Sequence, residues 1–401
     1  MAKKYDVVIV GGGFAGLSTA LHICGEDHVT LLIVEKGRIG DPKKTSPFTF
    51  PDVVARFDLH SAVLQEYVRF TYKSPTGITA SFEYEKPAFV TLDYHQACNI
   101  MLNRIKKENN VEVLEKTEAL NLESLKSFSA TTPLRLTFSD STSAECDILV
   151  DASGGNFFAS RKLGIRLPTL YSHPYGEYLE GCKIEDPNEM CIFAGKKYGN
   201  GGGWLYPIDR KTARFGFATV TRSRVYPKAV VERNFREAIQ YFYPYNEMLA
   251  GAKKRRSELG TIPLEPLKKF VYGQILIVGD AAGQATPWYA EGVRAALESG
   301  EMCGTAIAEA YEKGKLRTGA LKEYQHLWDA RNRKLHSRKT KIGFKSYFRN
   351  QEQWDNAVRH IASLTRDEMI AVVRFGKWPV TRSNWGSRFW HGIRNFIGMS
   401  G

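Results

Sequence analysis

Two glycine-rich segments, residues 11–16 and residues 279–283, constrain the fold of this chain more than any other feature. Each follows an apolar run that is typical of a buried strand, residues 5–10 in the first case and residues 275–278 in the second. Short apolar runs that break into glycine predict strands of an α/β fold, because glycine permits the sharp turn where such a strand ends.

The first segment has the spacing of a nucleotide-binding turn. Gly11, Gly13 and Gly16 form a G-x-G-x-x-G pattern, and an apolar helical stretch, residues 17–23, follows. The first glycine permits the turn, the second lets the backbone approach a pyrophosphate, and the third lets the helix pack closely. Since the N–H groups and dipole of a helix N-terminus favour anions, the segment predicts a dinucleotide site.

The surroundings of this motif strengthen the prediction. A second apolar strand, residues 29–34, ends in Glu35, 19 residues after Gly16. A carboxylate about 20 residues after the motif is placed to hydrogen-bond a ribose hydroxyl. An ordinary glycine-rich turn needs neither this acid nor the strand and helix around it, and is therefore the less favoured interpretation.

The second segment indicates which dinucleotide binds. Through Gly279, Asp280 and the residues up to Gln284, the chain resembles the FAD-containing reductases and hydroxylases of the p-hydroxybenzoate hydroxylase superfamily. In that family such a stretch returns late to the same nucleotide-binding domain. The resemblance implies that Asp280 hydrogen-bonds the ribityl chain of FAD. It also implies that a helix after Pro287, starting at residues 291–294, directs its positive end at the flavin and stabilises the reduced ring.

By this resemblance the cofactor is FAD, and its expected contacts come from both segments: Gly11, Gly13, Phe14, Ala15, Gly16, Glu35, Lys36, Gly279, Asp280, Pro287, Gly292 and Val293. The chain departs from the family in the helix predicted at residues 92–107. Relatives place an Arg early in that helix and an Asp four residues later, where this chain has Tyr94 and Cys98. The departure removes a charged contact to FAD.

A third segment bears on the substrate. Residues 201–218 resemble the part of geranylgeranyl reductases in which Tyr-x-Trp-x-Phe-Pro precedes Gly-x-Gly. Trp204 and Pro207 are retained, whereas Gly202 replaces the first aromatic residue and Tyr206 replaces the Phe. An aromatic wall of this kind suits a long apolar prenyl chain, because aromatic side chains bury a large area at low entropic cost. Ordinary strand aromatics in a core would give the same pattern.

The resemblance implies a reductase that saturates isoprenoid double bonds with hydride from reduced flavin. Such a reaction also needs a proton donor, and Tyr289 is the first candidate and Tyr206 the second, although both could be packing residues. The predicted substrate pocket consists of Trp204, Tyr206, Trp288 and Tyr289. There is no second G-x-G-x-x-G segment, so the external electron donor is expected to be transiently bound NAD(P)H or a ferredoxin-type carrier.

Three alternatives stay open. A flavin-dependent monooxygenase shares both glycine segments and would hydroxylate its substrate. A lycopene-cyclase-like flavoprotein is less favoured, because it needs acidic residues in a strand that here, at residues 214–219, has no carboxylate. A non-catalytic flavin-binding module associated with a membrane is the third alternative.

The predicted fold is α/β, with a Rossmann-like FAD-binding domain interleaved with a mixed-sheet substrate domain. The FAD-binding domain is expected at residues 1–160 and 270–310, with an excursion into the substrate domain near residues 60–90. Residues 161–269 are assigned to the substrate domain. Residues 311–401 are assigned to a helical C-terminal region with a basic and aromatic tail. A chain of 401 residues exceeds the size at which a single core usually stops growing.

Charge and cysteine content narrow the partners. The chain has a net charge of +13 without a basic-aromatic motif for nucleic acid, so no nucleic-acid partner is expected. Its six cysteines form no CxxC pair, which favours neither a disulfide framework nor a metal site. Basic residues in 329–350 and a tail with Trp385, Phe389 and Ile393 at helical spacing fit an anionic membrane surface. A helix docked on the protein's own core would fit equally.

These features predict a cytoplasmic protein, with a peripheral position on the inner face of the membrane if the tail is an anchor. No apolar run reaches the roughly 18 residues of a membrane-spanning helix. The first strand begins so close to the N-terminus that no signal peptide is expected.

Overall fold

The structure is a computed structural model, and it describes residues 2–25, 28–41, 47–74, 76–124, 133–193, 201–240, 245–287, 289–314, 319–332 and 351–377. Within these residues, no helix is long and apolar enough to cross a membrane. The basic segment from residue 333 to residue 350 and the aromatic tail from residue 378 lie outside the described part of the chain.

The chain alternates strands and helices in its first part and becomes helical towards its end. The strands are β1 (Lys3–Val10), β2 (Leu31–Val34), β3 (Phe48–Thr49), β4 (Val63–Tyr67), β5 (Arg69–Lys73), β6 (Thr79–Glu83), β7 (Phe89–Leu92), β8 (Val111–Leu114), β9 (Ala119–Ser124), β10 (Leu134–Phe138), β11 (Ser143–Asp151), β12 (Tyr171–Glu180), β13 (Glu189–Phe193), β14 (Gly203–Pro207), β15 (Thr212–Thr221), β16 (Lys253–Leu259), β17 (Ile262–Pro263), β18 (Val271–Tyr272) and β19 (Ile275–Ile277). The helices are α1 (Phe14–Leu21), α2 (Pro51–Phe57), α3 (Tyr94–Ile105), α4 (Phe158–Lys162), α5 (Lys228–Gln240), α6 (Tyr245–Met248), α7 (Val293–Glu312), α8 (Lys322–Asn332), α9 (Gln351–Ala362) and α10 (Arg366–Phe375). Short 3₁₀ turns cover His60–Ala62, Gly154–Asn156 and Gly279–Ala282.

The first sheet is the predicted Rossmann-like sheet. Its parallel strands follow the order β8-β2-β1-β11-β19, with β18 antiparallel at one edge and β9 and β10 as antiparallel additions beside β11. The central strands are buried apolar runs, as expected for parallel strands covered on both faces. Their carboxyl ends meet at one edge, which is where a doubly wound sheet binds its ligand.

The second sheet has the order β16-β12-β15-β14-β13-β5-β6, with β17 beside β12. Strands β5 and β6 come from the segment before residue 90 and join strands that come after residue 170, because β5 pairs in parallel with β13. A third sheet has the order β3-β7-β4 and is formed by strands between residues 48 and 92. The predicted fold class, a Rossmann-like domain interleaved with a mixed-sheet domain and followed by helices, is confirmed.

Strands β8 and β9 are separate, because the chain turns between residues 114 and 119. Strand β8 ends at Leu114 and β9 begins at Ala119. Between them Lys116 takes a left-handed conformation, with φ of 56°, and its N–H donates to the carbonyl of Gly37. The turn carries the chain across the cofactor edge of the first sheet.

Helices α1 and α7 cross at backbone contact although they are far apart in sequence. A Cβ atom at Gly300 would lie 2.5 Å from the carbonyl oxygen of Ala15, and one at Gly304 would lie 2.6 Å from that of Thr19. The Ser18 hydroxyl donates to the Leu297 carbonyl at 2.7 Å. Two glycines one helical turn apart therefore let α7 lie directly against α1.

Candidate cofactor and active site

A cleft of about 870 Å³ lies at the carboxyl edge of the first sheet. It is lined by residues that come directly after parallel strands: Gly11 after β1, Glu35 after β2 and Ala152 after β11, with Asp280 in the turn that follows β19. Two segments that are distant in sequence therefore meet in one cleft at the edge where doubly wound sheets bind nucleotides.

The glycines of the first motif have different roles. Gly11 has a φ of +114°, and a Cβ atom there would lie 2.3 Å from the Ala152 carbonyl oxygen. At Gly16 it would lie 2.0 Å from the Gly11 carbonyl oxygen. At Gly13 the added atom would meet only the Tyr94 hydroxyl, at 3.5 Å. The protein's own packing thus requires Gly11 and Gly16, whereas Gly13 keeps the start of α1 open to the cleft.

Glu35 is held in place by two backbone donors. The N–H of Gly12 donates to its Oε2 at 2.9 Å, and the N–H of Gly37 donates to its Oε1 at 2.9 Å. A carboxylate has about four lone-pair sites, so capacity for a ribose hydroxyl remains. The side chain lines the cleft next to Lys36, as the spacing of the sequence predicts.

The second segment brings another helix start to the same cleft. Helix α7 begins after Gly292, and α1 begins after Gly13, in both cases without a side-chain hydrogen bond at the cap. Asp280 stands beside the start of α7, since a Cβ atom at Gly292 would lie 3.7 Å from its Oδ1. Two helix N-termini that face one cleft are suited to an anionic dinucleotide.

The structure separates the expected cofactor residues into two groups. Nine line the cleft: Gly11, Gly13, Phe14, Ala15, Glu35, Lys36, Asp280, Gly292 and Val293. The other three lie behind its surface and shape it. Gly16 packs against the Gly11 turn. A Cβ atom at Gly279 would lie 2.7 Å from the Cβ atom of Ala15, so only glycine fits there. Pro287 is buried in the turn before α7. These residues fit FAD, because the backbone at the start of α1 is open to the cleft at Gly13, where a pyrophosphate would approach.

Tyr94 is the residue that replaces the family's Arg, and the structure shows what it does. It lines the cleft as the first residue of α3, with its ring 5.0 Å from that of Phe14 in an edge-to-face arrangement. Burial, followed by the neighbouring Cys98 thiol and the Glu35 and Asp280 carboxylates, raises the pKa of its phenol well above the usual value. The helix therefore presents a neutral hydrogen-bond donor where the resemblance implies a cation.

The predicted aromatic wall is part of a longer apolar row across the second sheet. Tyr72 on β5 pairs with Ile192 on β13, which pairs with Trp204 on β14, and Trp204 pairs with Gly216 on β15. The Trp204 indole lies flat over two strands, because a Cβ atom at Gly216 would lie 2.2 Å from it and one at Gly176 would lie 3.2 Å from it. Tyr72, Ile192 and Trp204 are partly buried and pack towards the cofactor domain.

The two candidate proton donors lie near the cleft but behind its lining. Tyr206 is buried, and its ring is 5.8 Å from that of Phe48, which lines the cleft. Tyr289 is partly buried beside the turn before α7, and burial, with Tyr84 among its neighbours, raises the pKa of its phenol well above the usual value. Trp288 lies outside the described residues. Sequence reasoning missed Phe48, which no motif marks.

The fold is shared with flavin-dependent enzymes, and the cleft is suited to an FAD dinucleotide. No protein-family model matches the chain. It is 23% identical over 400 residues to digeranylgeranylglycerophospholipid reductase 3 of Methanosphaera stadtmanae, covering 92% of this chain and 95% of the relative. A solved structure of a geranylgeranyl bacteriochlorophyll reductase-like protein from Thermoplasma acidophilum superposes with a TM-score of 0.80 at 18% identity, covering 93% of this chain and 97% of the other. The resemblance to geranylgeranyl reductases predicted from the sequence is thus confirmed as a similarity of sequence and fold.

The fold is also shared with enzymes of other chemistry. A probable FAD-dependent monooxygenase from Pseudomonas aeruginosa superposes with a TM-score of 0.66 at 16% identity, covering 89% of this chain and all of the other. Among the described residues, no group of three metal-ligating side chains is present. All six cysteines are buried, and none of them forms a disulfide.

Proposed function

We propose that this protein is a geranylgeranyl-reductase-like enzyme, which reduces C=C bonds of a prenyl lipid by hydride transfer from reduced FAD. The observation that carries the proposal is the apolar row Tyr72–Ile192–Trp204, which lies on the face of the second sheet that packs towards the cofactor domain. The Methanosphaera relative is named a digeranylgeranylglycerophospholipid reductase, which supports an isoprenoid chain as the group that this row accommodates.

The row suits a prenyl chain, which has no polar group for a protein to hydrogen-bond. Gly216 and Gly176 carry no side chain, so the Trp204 indole can lie across their strands and present its face instead of its edge. Flat aromatic and aliphatic surfaces bind apolar chains through burial alone, which is worth roughly 25 cal/mol per Å² of apolar surface. The Trp204 Nε1 atom is buried and has no hydrogen-bond partner among the described residues.

The chain's own residues would have two tasks when FAD is bound: to hold and orient the cofactor, and to hold a proton. The bound flavin supplies a hydride and is tuned by the groups around it. The starts of α1 and α7, Glu35 and Asp280 would hold and orient it at the cleft. Tyr289, with Tyr206 as second choice, would hold the proton for the second carbon of the double bond, since the raised pKa of each phenol keeps it protonated.

The test is anaerobic. The purified protein is photoreduced, a geranylgeranyl lipid is added, and the flavin absorbance is followed without oxygen. Reoxidation with two hydrogen atoms gained per double bond in the product would support the reductase, and the fully saturated lipid should leave the flavin reduced. Reoxidation only when air is admitted, with a hydroxylated product, would favour the monooxygenase, the alternative that the Pseudomonas neighbour represents.

Two further parts of the proposal concern partners. An external electron donor, NAD(P)H or a ferredoxin-type carrier, would reduce the flavin, and anaerobic mixing with each donor shows which of the two does so.

The basic and aromatic tail would bind an anionic membrane surface. Truncation after Gly376 is expected to reduce binding to anionic liposomes while the flavin spectrum is retained. Unchanged liposome binding would refute the anchor.

A further inference from the structure

A buried charge network lies beside the turn that joins Thr286 to the start of α7, which is called the cofactor turn below. Glu291 lines the cleft next to Gly292 and is 1% exposed. Its Oε1 accepts from the backbone N–H of Arg294 at 2.7 Å, and its Oε2 lies 3.5 Å from the Arg294 Nε. Arg294 is 0% exposed and also donates to Glu298 Oε2 at 2.8 Å. Buried charges are costly, so a network of this kind beside a cofactor needs a reason.

Arg294 joins the cofactor turn to the C-terminal helices. Its Nη2 donates to the Thr286 hydroxyl at 3.2 Å and to the backbone carbonyl of Arg374, near the end of α10, at 3.0 Å. The backbone N–H of Thr286 also donates to the carbonyl oxygen of Glu291 at 2.9 Å, which closes the turn before α7. The network therefore fixes both ends of the turn that leads into the helix facing the cleft.

The charged side chains of the network change the electrostatic potential at the start of α7 in opposite directions. The start of α7 carries a partial positive charge, which favours negative charge in the cleft. The Glu291 carboxylate stands one residue before the cap and takes up the N–H of Arg294, so it reduces that positive potential. Arg294 restores it, and is itself balanced by Glu298, whose other oxygen binds Arg331 at 3.0 Å. The net potential at the start of α7 thus depends on ionised side chains that solvent cannot screen.

We propose that Glu291 and Arg294 are positioning residues with opposite electrostatic effects, which together set the reduction potential of the flavin through the start of α7. The proposal rests on the FAD assignment made above. Neutralising Glu291 leaves the helix start more positive and favours the reduced flavin. Neutralising Arg294 leaves Glu291 without its adjacent cation and leaves Glu298 paired with Arg331 alone, which favours the oxidised flavin.

The chain offers closely matched variants for the test. Glu291→Gln removes one charge and keeps an oxygen acceptor for the Arg294 N–H. Glu298→Gln removes the same charge farther from the cleft. Glu301→Gln is the control, because Glu301 is on the same helix but pairs with Arg56 at 2.6 Å, outside the network. Arg294→Met removes the cation and keeps the aliphatic stem.

The measurement is the midpoint potential of bound FAD, determined anaerobically against a reference dye. Glu291→Gln is expected to raise the ratio of reduced to oxidised flavin at least tenfold at a fixed potential, which corresponds to about 30 mV for a two-electron couple. Glu298→Gln should give a smaller rise, Glu301→Gln no change, and Arg294→Met a fall. A purely structural role would move Glu291→Gln and Arg294→Met in the same direction.

The pH dependence gives a second readout. Burial raises the pKa of Glu291, while Arg294 lowers it, Glu298 raises it and Arg374 lowers it. The difference between wild type and Glu291→Gln should therefore shrink as the pH falls and the wild-type carboxylate takes up a proton.

Two results would overturn the inference. One is a ratio of reduced to oxidised flavin in Glu291→Gln that, at the same fixed potential, lies within twofold of the wild-type ratio. The other is a shift in Glu301→Gln as large as that in Glu291→Gln. Neither result depends on whether Arg294→Met folds. Wild-type protein that binds no FAD would instead refute the FAD assignment, and the inference with it, so the two failures are distinguishable by the flavin spectrum alone.

Discussion

Gly13→Val separates the cofactor site from the fold. A Cβ atom at Gly13 meets only the Tyr94 hydroxyl, at 3.5 Å, which is an ordinary contact. The backbone there is extended, with φ of −82° and ψ of −176°, so valine can adopt it without strain. We therefore expect the free energy of unfolding of the protein without FAD to fall by less than about 1 kcal/mol, as for other substitutions that meet open space.

The effect on FAD should be much larger. The two methyl groups of valine would occupy the space through which the pyrophosphate approaches the start of α1. Hydrogen bonds to a charged group contribute roughly 1.5–3 kcal/mol each, so losing two of them weakens binding by about 3–6 kcal/mol. That corresponds to roughly a 10²–10⁴-fold higher Kd. Quenching of flavin fluorescence on titration of the apoprotein measures this Kd, and thermal unfolding measures stability.

Two matched variants complete the experiment. Gly25→Val is the control, since a Cβ atom there meets nothing within 4 Å and the residue is exposed outside the cleft. Gly16→Val should unfold the protein, because its Cβ would lie 2.0 Å from the Gly11 carbonyl oxygen. A yellow Gly13→Val protein with one FAD per chain would refute the site assignment. An unfolded one would show that Gly13 belongs to the packing and not to the cradle.

Three other predictions concern the ribose contact, the apolar row and pH. Glu35→Gln should raise the Kd for FAD at least about tenfold. Both carboxylate oxygens of Glu35 accept from backbone N–H groups, and in glutamine one of these oxygens becomes an NH₂ group that cannot accept. An unchanged Kd in the same titration would count against the ribose contact. Trp204→Ala should cost about 2–3 kcal/mol of stability through the cavity that it leaves, and should slow flavin reoxidation by a prenyl lipid without changing the flavin spectrum; equal rates would remove Trp204 from the pocket. Burial lowers the pKa of His173, so the unfolded chain binds the proton first and stability should fall as the pH drops below about 6.5; denaturant titrations at pH 7 and pH 5 should show a smaller difference in His173→Gln.

Local patterns were enough to predict the cofactor edge. The turn after β1, the acid after β2 and the turn after β19 each lie within a few residues of a recognisable strand, so spacing alone places Gly11, Glu35 and Asp280 at strand ends. Parallel pairing then brings these ends together. The helix at residues 92–107 was also placed correctly, as α3, although neither Tyr94 nor Cys98 carries the family's charge.

The substrate side depended on pairings that no local pattern encodes. Tyr72 meets Ile192 only because β5 pairs in parallel with a strand more than 110 residues later, and a slip of β5 by one residue would turn Tyr72 to the other face of the sheet. The contact between Arg294 and the end of α10 likewise joins segments 80 residues apart. Hydrophobic spacing marks these residues as buried, but it does not specify which of them become neighbours.

The close crossing of α1 and α7 has a consequence for biosynthesis. The cofactor cleft needs residues near 13 and residues near 293, so the N-terminal part of a growing chain has no complete FAD site. At about 5–20 residues per second, a ribosome needs roughly 15–60 s to add the intervening chain. During that interval the apolar surface of α1 that Gly300 and Gly304 later cover has no partner from α7. On the FAD assignment, the cofactor would therefore bind only late in synthesis, once the starts of both α1 and α7 are available to it.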